Sequence, residues 1–177
     1  MLTGREKDIE RLHQHLMGRS GSPSRAAAVL FQGATNGGAL LQAIARGLSQ
    51  DIRVVRHSLK GAVGTKEVQE ILESATGGCL VLVEDLRFLV KLEAGGLEPL
   101  RLLVEGILED NGKNAWIVSC EQSSWDYLHH HLPLEGIFPE RIQVGQLTTL
   151  ELRRAILERH GMSGFSLEYE EMERSFL

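Results

Sequence analysis

A chain of 177 residues suits a single domain, long enough to bury a substantial core without staples. Hydrophobic residues make up 42% and charged residues 24%, which excludes a disordered or low-complexity chain. The net charge of -5 argues against a nucleic-acid surface for this domain alone. No apolar run approaches the roughly 20 residues that span a bilayer, so no membrane partner is expected. The N-terminus, MLTGREKDIERLHQHL, is charged and amphipathic rather than a secretory signal. Cys79 and Cys120 offer neither a disulfide framework nor metal-ligand spacing, and they read as reduced core thiols of a cytoplasmic protein.

An amphipathic helix over Glu6–Met17 comes first, with Ile9, Leu12 and Leu16 on its apolar side. The connector Gly18–Ser24 (GRSGSPS) leads to a strand at Ala27–Gln32. Helical stretches follow at Ala39–Leu48, Lys66–Ala75, Leu97–Glu109 and Ser124–His131. They alternate with β-branched runs at Ile52–Ser58, Cys79–Glu84, Ala115–Cys120 and Arg141–Leu147. Leu97, Leu100, Val104, Ile107 and Leu108 predict one buried stripe, while Glu105 and Glu109 lie on the wet face. Gly77-Gly78 closes one helix. Thr148–Glu151 offers a capping box for a last helix, Leu150–His160, with Gly161 as its left-handed cap. Strands at Cys79–Glu84 and Ala115–Cys120 are almost wholly apolar, as a strand covered on both faces must be. The alternation predicts an α/β fold, three layers deep, around a five-stranded parallel sheet.

Directly after the first strand comes Gly33-Ala34-Thr35-Asn36-Gly37-Gly38-Ala39-Leu40, running into a helix. Gly33 and Gly38 have the spacing of a phosphate-binding loop, whose backbone N–H groups and helix N-terminus cradle anionic oxygens. The position of the phosphate-pairing lysine is Ala39, and the magnesium-ligating hydroxyl is replaced by Leu40. A plain strand-to-helix turn would account for the glycines alone. The third strand, however, ends Leu80-Val81-Leu82-Val83-Glu84-Asp85, apolar residues and then two acids at the sheet edge where ligands bind. Such acids hold magnesium and orient the attacking water, although here the usual aspartate-glutamate order is reversed.

Taken together these segments resemble the AAA+ P-loop ATPases, particularly the origin-recognition and STAND-type branch. Gly4-Arg5-Glu6 matches the box that leads into the base pocket, and the glycine loop, Glu84-Asp85 and Ile117–Cys120 follow in family order. The resemblance implies cofactor contacts from Gly4, Arg5, Gly33, Asn36, Gly37, Gly38, Ala39 and Leu40. It implies catalytic roles for Glu84 and Asp85, with Ser119 near the sensor position, which Cys120 or Glu121 also fits. Arg141 matches an arginine that reaches a neighbouring subunit's nucleotide, although an exposed strand-edge arginine explains it as well. The resemblance covers about residues 3–165, and residues 1–165 are expected to form the core. Residues 166–177 are then a tail or the start of a lid or further domain, lost or lying beyond this chain.

With Ala39 and Leu40 in the loop, the expectation is a domain deficient in hydrolysis that acts as a structural or regulatory module. Protein partners or self-association follow, with ATP or ADP bound weakly or not at all and no metal ligands assigned. One alternative is an active or nucleotide-sensing ATPase that relies on Glu84 and Asp85. Another is an NAD(P)-binding short-chain dehydrogenase-like domain, in which Arg56 meets a 2′-phosphate. That chemistry needs a lysine four residues after a tyrosine, whereas Tyr127 precedes His131 and Tyr169 precedes Glu173. His129–His131 point about 100° apart on a helix and cannot converge on one metal. Trp116 and Trp125 read as core. Cys79 starts one strand and Cys120 ends its neighbour, which predicts a separation of roughly 15–20 Å and no disulfide.

Overall fold

The computed structural model describes residues 6–17, 25–32, 37–48, 52–91, 93–145, 149–150, 153, 156–157 and 161. Its strands are β1 (Ala26–Phe31), β2 (Val54–Ser58), β3 (Leu80–Glu84), β4 (Ala115–Glu121) and β5 (Glu140–Val144). They pair in parallel in the order β2-β3-β4-β1-β5. The helices are α1 (Glu6–Met17), α2 (Gly37–Leu48), α3 (Thr65–Ser74), α4 (Glu98–Glu109), α5 (Gln122–His129) and α6 (Leu134–Ile137). A 3-10 turn at Leu86–Leu89 and the short α6 are additions to the expected elements. No helix among the described residues is long and apolar enough to cross a membrane.

Both faces of the sheet are apolar because successive side chains of each central strand point to opposite sides. Ala27, Val29, Leu80, Leu82 and Ile117 pack against Leu12 and Leu16 of α1 and Leu41 and Ile44 of α2. Ala28, Val81, Val83, Trp116 and Val118 face α3, α4 and α5 on the other side. There Trp125 meets Phe138 edge to face, 5.7 Å between centroids. Gly106 lets α4 approach α3, since a Cβ at that position would lie 2.4 Å from the Leu72 side chain. The result is the expected three-layer α/β/α arrangement.

Three expectations change. Leu108 is 49% exposed, and Leu103 joins Leu100, Val104 and Ile107 in the buried stripe. Leu108 lies about 100° around the helix from Ile107, so the face that buries one turns the other to water. Gly161 is itself helical rather than a left-handed cap. The dinucleotide-binding alternative needs β1 beside β2, in the order 3-2-1-4-5, whereas here β4 is inserted between β3 and β1. Thr148, Glu151 and residues 166–177 lie outside the described residues.

The lower edge of the sheet is closed by Asn114. Its Oδ1 accepts the Cys79 N–H at 2.9 Å, and its Nδ2 donates to the Ala75 carbonyl at 3.1 Å and to Asp110 at 2.5 Å. This buried amide joins the turn after α3, the start of β3 and the start of β4. Asn114→Ala leaves the Cys79 N–H and Ala75 carbonyl without those partners and should cost about 3 kcal/mol in urea unfolding.

Cys79 lies beside Ala115, whose N–H donates to its carbonyl at 2.8 Å. Cys120 pairs with Leu30 at the far end of β4, five residues on, or about 17 Å at 3.3 Å per residue. Both thiols are free and buried. Burial pushes the Cys120 thiol up to about 12, with the charge of Asp85 adding to the effect. Because its folded pKa exceeds its unfolded one, the stability it contributes is complete below about pH 9 and is lost as pH rises towards 12. Urea midpoints should therefore fall more steeply above pH 9 for the native chain than for Cys120→Ala.

Candidate functional site

In a parallel sheet every strand ends on the same edge, and the register sets which ends are level. Val83 lies beside Val118, Val29 beside Ser119, and Phe31 beside Glu121. The ends of β1, β3 and β4 therefore meet at one rim. Gly4, Arg5, Gly33 and Asn36 lie outside the described residues. Gly37, Gly38, Ala39 and Leu40 form the first turn of α2, two residues earlier than the expected helix start. That turn follows the end of β1, so its backbone lies at the same rim as Glu84, Asp85 and Ser119.

Glu84 is the last residue of β3, and its half-buried carboxylate forms an ion pair with Arg56 of β2. Asp85 adopts a left-handed backbone, φ 66° and ψ 73°. That conformation costs an ordinary L-residue about 1–2 kcal/mol, less for aspartate. Its N–H donates to the Ser119 hydroxyl at 3.0 Å. Both of its carboxylate oxygens accept from Arg87, Nε to Oδ1 at 2.7 Å and Nη2 to Oδ2 at 2.5 Å. Arg87 Nη1 also donates to Glu121 at 3.3 Å. These hydrogen bonds to Asp85 push the already basic guanidinium still further up.

Glu84, Asp85 and Ser119, expected at one edge of the sheet, do lie together there. It missed Arg87 altogether and weighed Arg56 only as a partner for a 2′-phosphate. Arg87 carried a local signal, an arginine two residues beyond an acid where the chain leaves a strand. Arg56 carried none, because its partner is 28 residues away.

Arg141 is not part of this rim. It is the second residue of β5, level with Ala28 of β1 and Val118 of β4, but β5 is an edge strand and β1 and β4 stand between it and β3. Its guanidinium donates to Glu135 at 2.5 Å and holds that exposed carboxyl below its usual range. Its carbonyl accepts from Arg11 at 2.9 Å, and Arg11 also pairs with Glu140 at 2.5 Å. Arg141 thus helps fasten α6 and α1 to β5, which fits the plain strand-edge reading. His129, His130 and His131 are exposed, and among the described residues no three histidine, cysteine or acidic groups converge on a metal position. A cleft of about 740 Å³ at the start of α4, bordered by Lys91, Leu97, Arg101 and Tyr127, contains none of the expected site residues.

Two features of this donor set bear on how it would meet a magnesium nucleotide. Ala39 and Leu40 stand at the loop positions of the phosphate-pairing lysine and the magnesium-ligating hydroxyl. The two acids that would hold the metal and orient water are engaged by Arg56 and Arg87.

No protein-family model matches the sequence, and no curated protein matches it. Solved structures do resemble it over 93% of its length. A DNA replication initiation factor superposes with a TM-score of 0.59 at 17% identity, this chain covering 53% of that one. A chain of the HORMA:CdnC:Trip13 complex of E. coli MS115-1 superposes at 0.59 with 12% identity, covering 70% of that chain. The Walker-type ATPase PABY2304 of Pyrococcus abyssi superposes at 0.65 with 12% identity and 59% of its length covered. The present chain therefore spans about half of the replication factor it matches. At these identities the likeness is one of fold alone, a parallel α/β sheet shared with a replication initiation factor and a Walker-type ATPase.

Proposed function

We propose that this domain is a degenerate AAA+-like ATPase module, deficient in hydrolysis, that works as a structural or regulatory interaction domain in the cytoplasm. The observation that carries the proposal is the charge arrangement at the rim. In a working P-loop site, lysine and magnesium offset the phosphates and the acids hold the metal. Here Ala39 and Leu40 stand at those loop positions, and arginines of the chain itself neutralise both acids. Phosphoryl transfer depends on positioned charge, so removing the cation from the loop and pairing off the acids takes away the chief means of catalysis. What remains is a rigid α/β scaffold with binding surfaces for protein partners or another copy of the chain. Nucleotide binding is weak or absent in this proposal, since backbone N–H groups alone would have to hold the phosphates.

Calorimetric titration of ATP and ADP, with and without magnesium, tests this on the native chain and on Ala39→Lys/Leu40→Thr. The native chain should give no magnesium-dependent heat at micromolar nucleotide, and the double variant should gain at least about tenfold in affinity from its restored cation. Micromolar binding by the native chain that strengthens with magnesium would turn the proposal towards nucleotide sensing.

A further inference from the structure

The rim holds a four-membered connection that neither the fold nor loss of hydrolysis requires. Asp85 occupies a left-handed conformation at the end of β3, one of two positive-φ residues other than glycine among the described residues. Both its ends are fixed: Ser119 of β4 accepts its N–H at 3.0 Å, and Arg87 grips both carboxylate oxygens. The same guanidinium reaches Glu121 at 3.3 Å, the last residue of β4. A planar fork that fills both oxygens of one carboxylate fixes its direction as well as its charge. The 3-10 turn Leu86–Leu89 supplies the geometry, because it brings Arg87 back over the residue two places before it.

We infer that Arg87 is a positioning residue, a latch that holds Asp85 in its left-handed conformation and ties the end of β3 to the end of β4. Closed, the latch directs the Asp85 carboxylate at a guanidinium rather than at the rim. Open, it frees Asp85 to return to extended backbone and Glu121 to solvent. The inference deepens the proposed function, resting on the reading of Glu84-Asp85 as a former metal site, and it names what keeps that site closed.

Nuclear magnetic resonance on the whole chain tests the latch, with Arg87→Met, Arg87→Lys and Ser119→Ala beside the native protein. The readouts are the Cα secondary shift and amide exchange rate of Asp85, compared with amides of β1. In Arg87→Met the Asp85 shift should move to the extended side, and its amide should exchange roughly tenfold faster while β1 keeps its protection. Arg87→Lys should restore part of both, since it keeps the charge without the fork. Ser119→Ala should speed exchange at Asp85 while the shift stays left-handed. An unchanged Asp85 in Arg87→Met would overturn the latch, as would equal acceleration of Asp85 and β1, which marks general destabilisation. Asp85 reports in either case whether or not nucleotide binds, so ATP turnover by the native chain would refute the proposed function and leave this result standing.

Discussion

The hydrogen-bonded ladder between β1 and β4, running from Ala26 beside Trp116 to Phe31 beside Glu121, sets the height of every other strand end. β4 lies between β3 and β1 and is buried on both faces, so its register against each neighbour is held by apolar contacts above and below the sheet. A slip of one residue would turn Trp116 and Val118 towards α1 and α2 and expel Ile117 to the other face. Because that register is held, the end of β1, the acids after β3 and Ser119 of β4 share one rim. The candidate site is a consequence of this packing before it is a matter of chemistry.

Electrostatics then decides what the rim can do. Glu84, Asp85 and Glu121 gather three carboxylates at neighbouring strand ends, a repulsive arrangement unless cations intervene. In an ATPase of this fold, metal and phosphate-bound lysine belong to that balance. In this chain Arg56 pairs with Glu84, and Arg87 pairs with Asp85 and Glu121. These are partly exposed pairs, so each contributes modestly to stability. Their importance lies in direction: the Arg87 fork orients Asp85, and Arg56 holds Glu84 towards β2. At the other margin, Arg11, Glu140, Arg141 and Glu135 fasten α1 and α6 to β5.

Much of the architecture was legible because it depends on local periodicity. The continuous apolar runs of β3 and β4 could be covered only on both faces, and α1 matched its apolar stripe residue for residue. Strand ends shifted by one to three residues, because they depend on where pairing stops rather than on where apolar residues stop. Leu108 was misplaced because a stripe of leucines looks alike on both flanks until the partner helix selects one. Of the site, the acids and Ser119 were visible as residues at strand ends. The pairings that decide their state were not, since Arg56 reaches Glu84 on the neighbouring strand over 28 positions and Ser119 reaches Asp85 over 34. Arg141 misled for a related reason. Its place in sequence suited a family role, and only the strand order shows that β1 and β4 separate it from Glu84 and Asp85.

Under the proposed function the fold persists without its hydrolytic chemistry, and ATP turnover measures this most directly. Phosphate release should be followed under excess ATP and magnesium with the native chain and with Asp85→Ala. Neither protein should show turnover above background. Magnesium-dependent release by the native chain that disappears in Asp85→Ala would contradict the proposed function, because Asp85 would then be working as a catalytic acid despite its arginine.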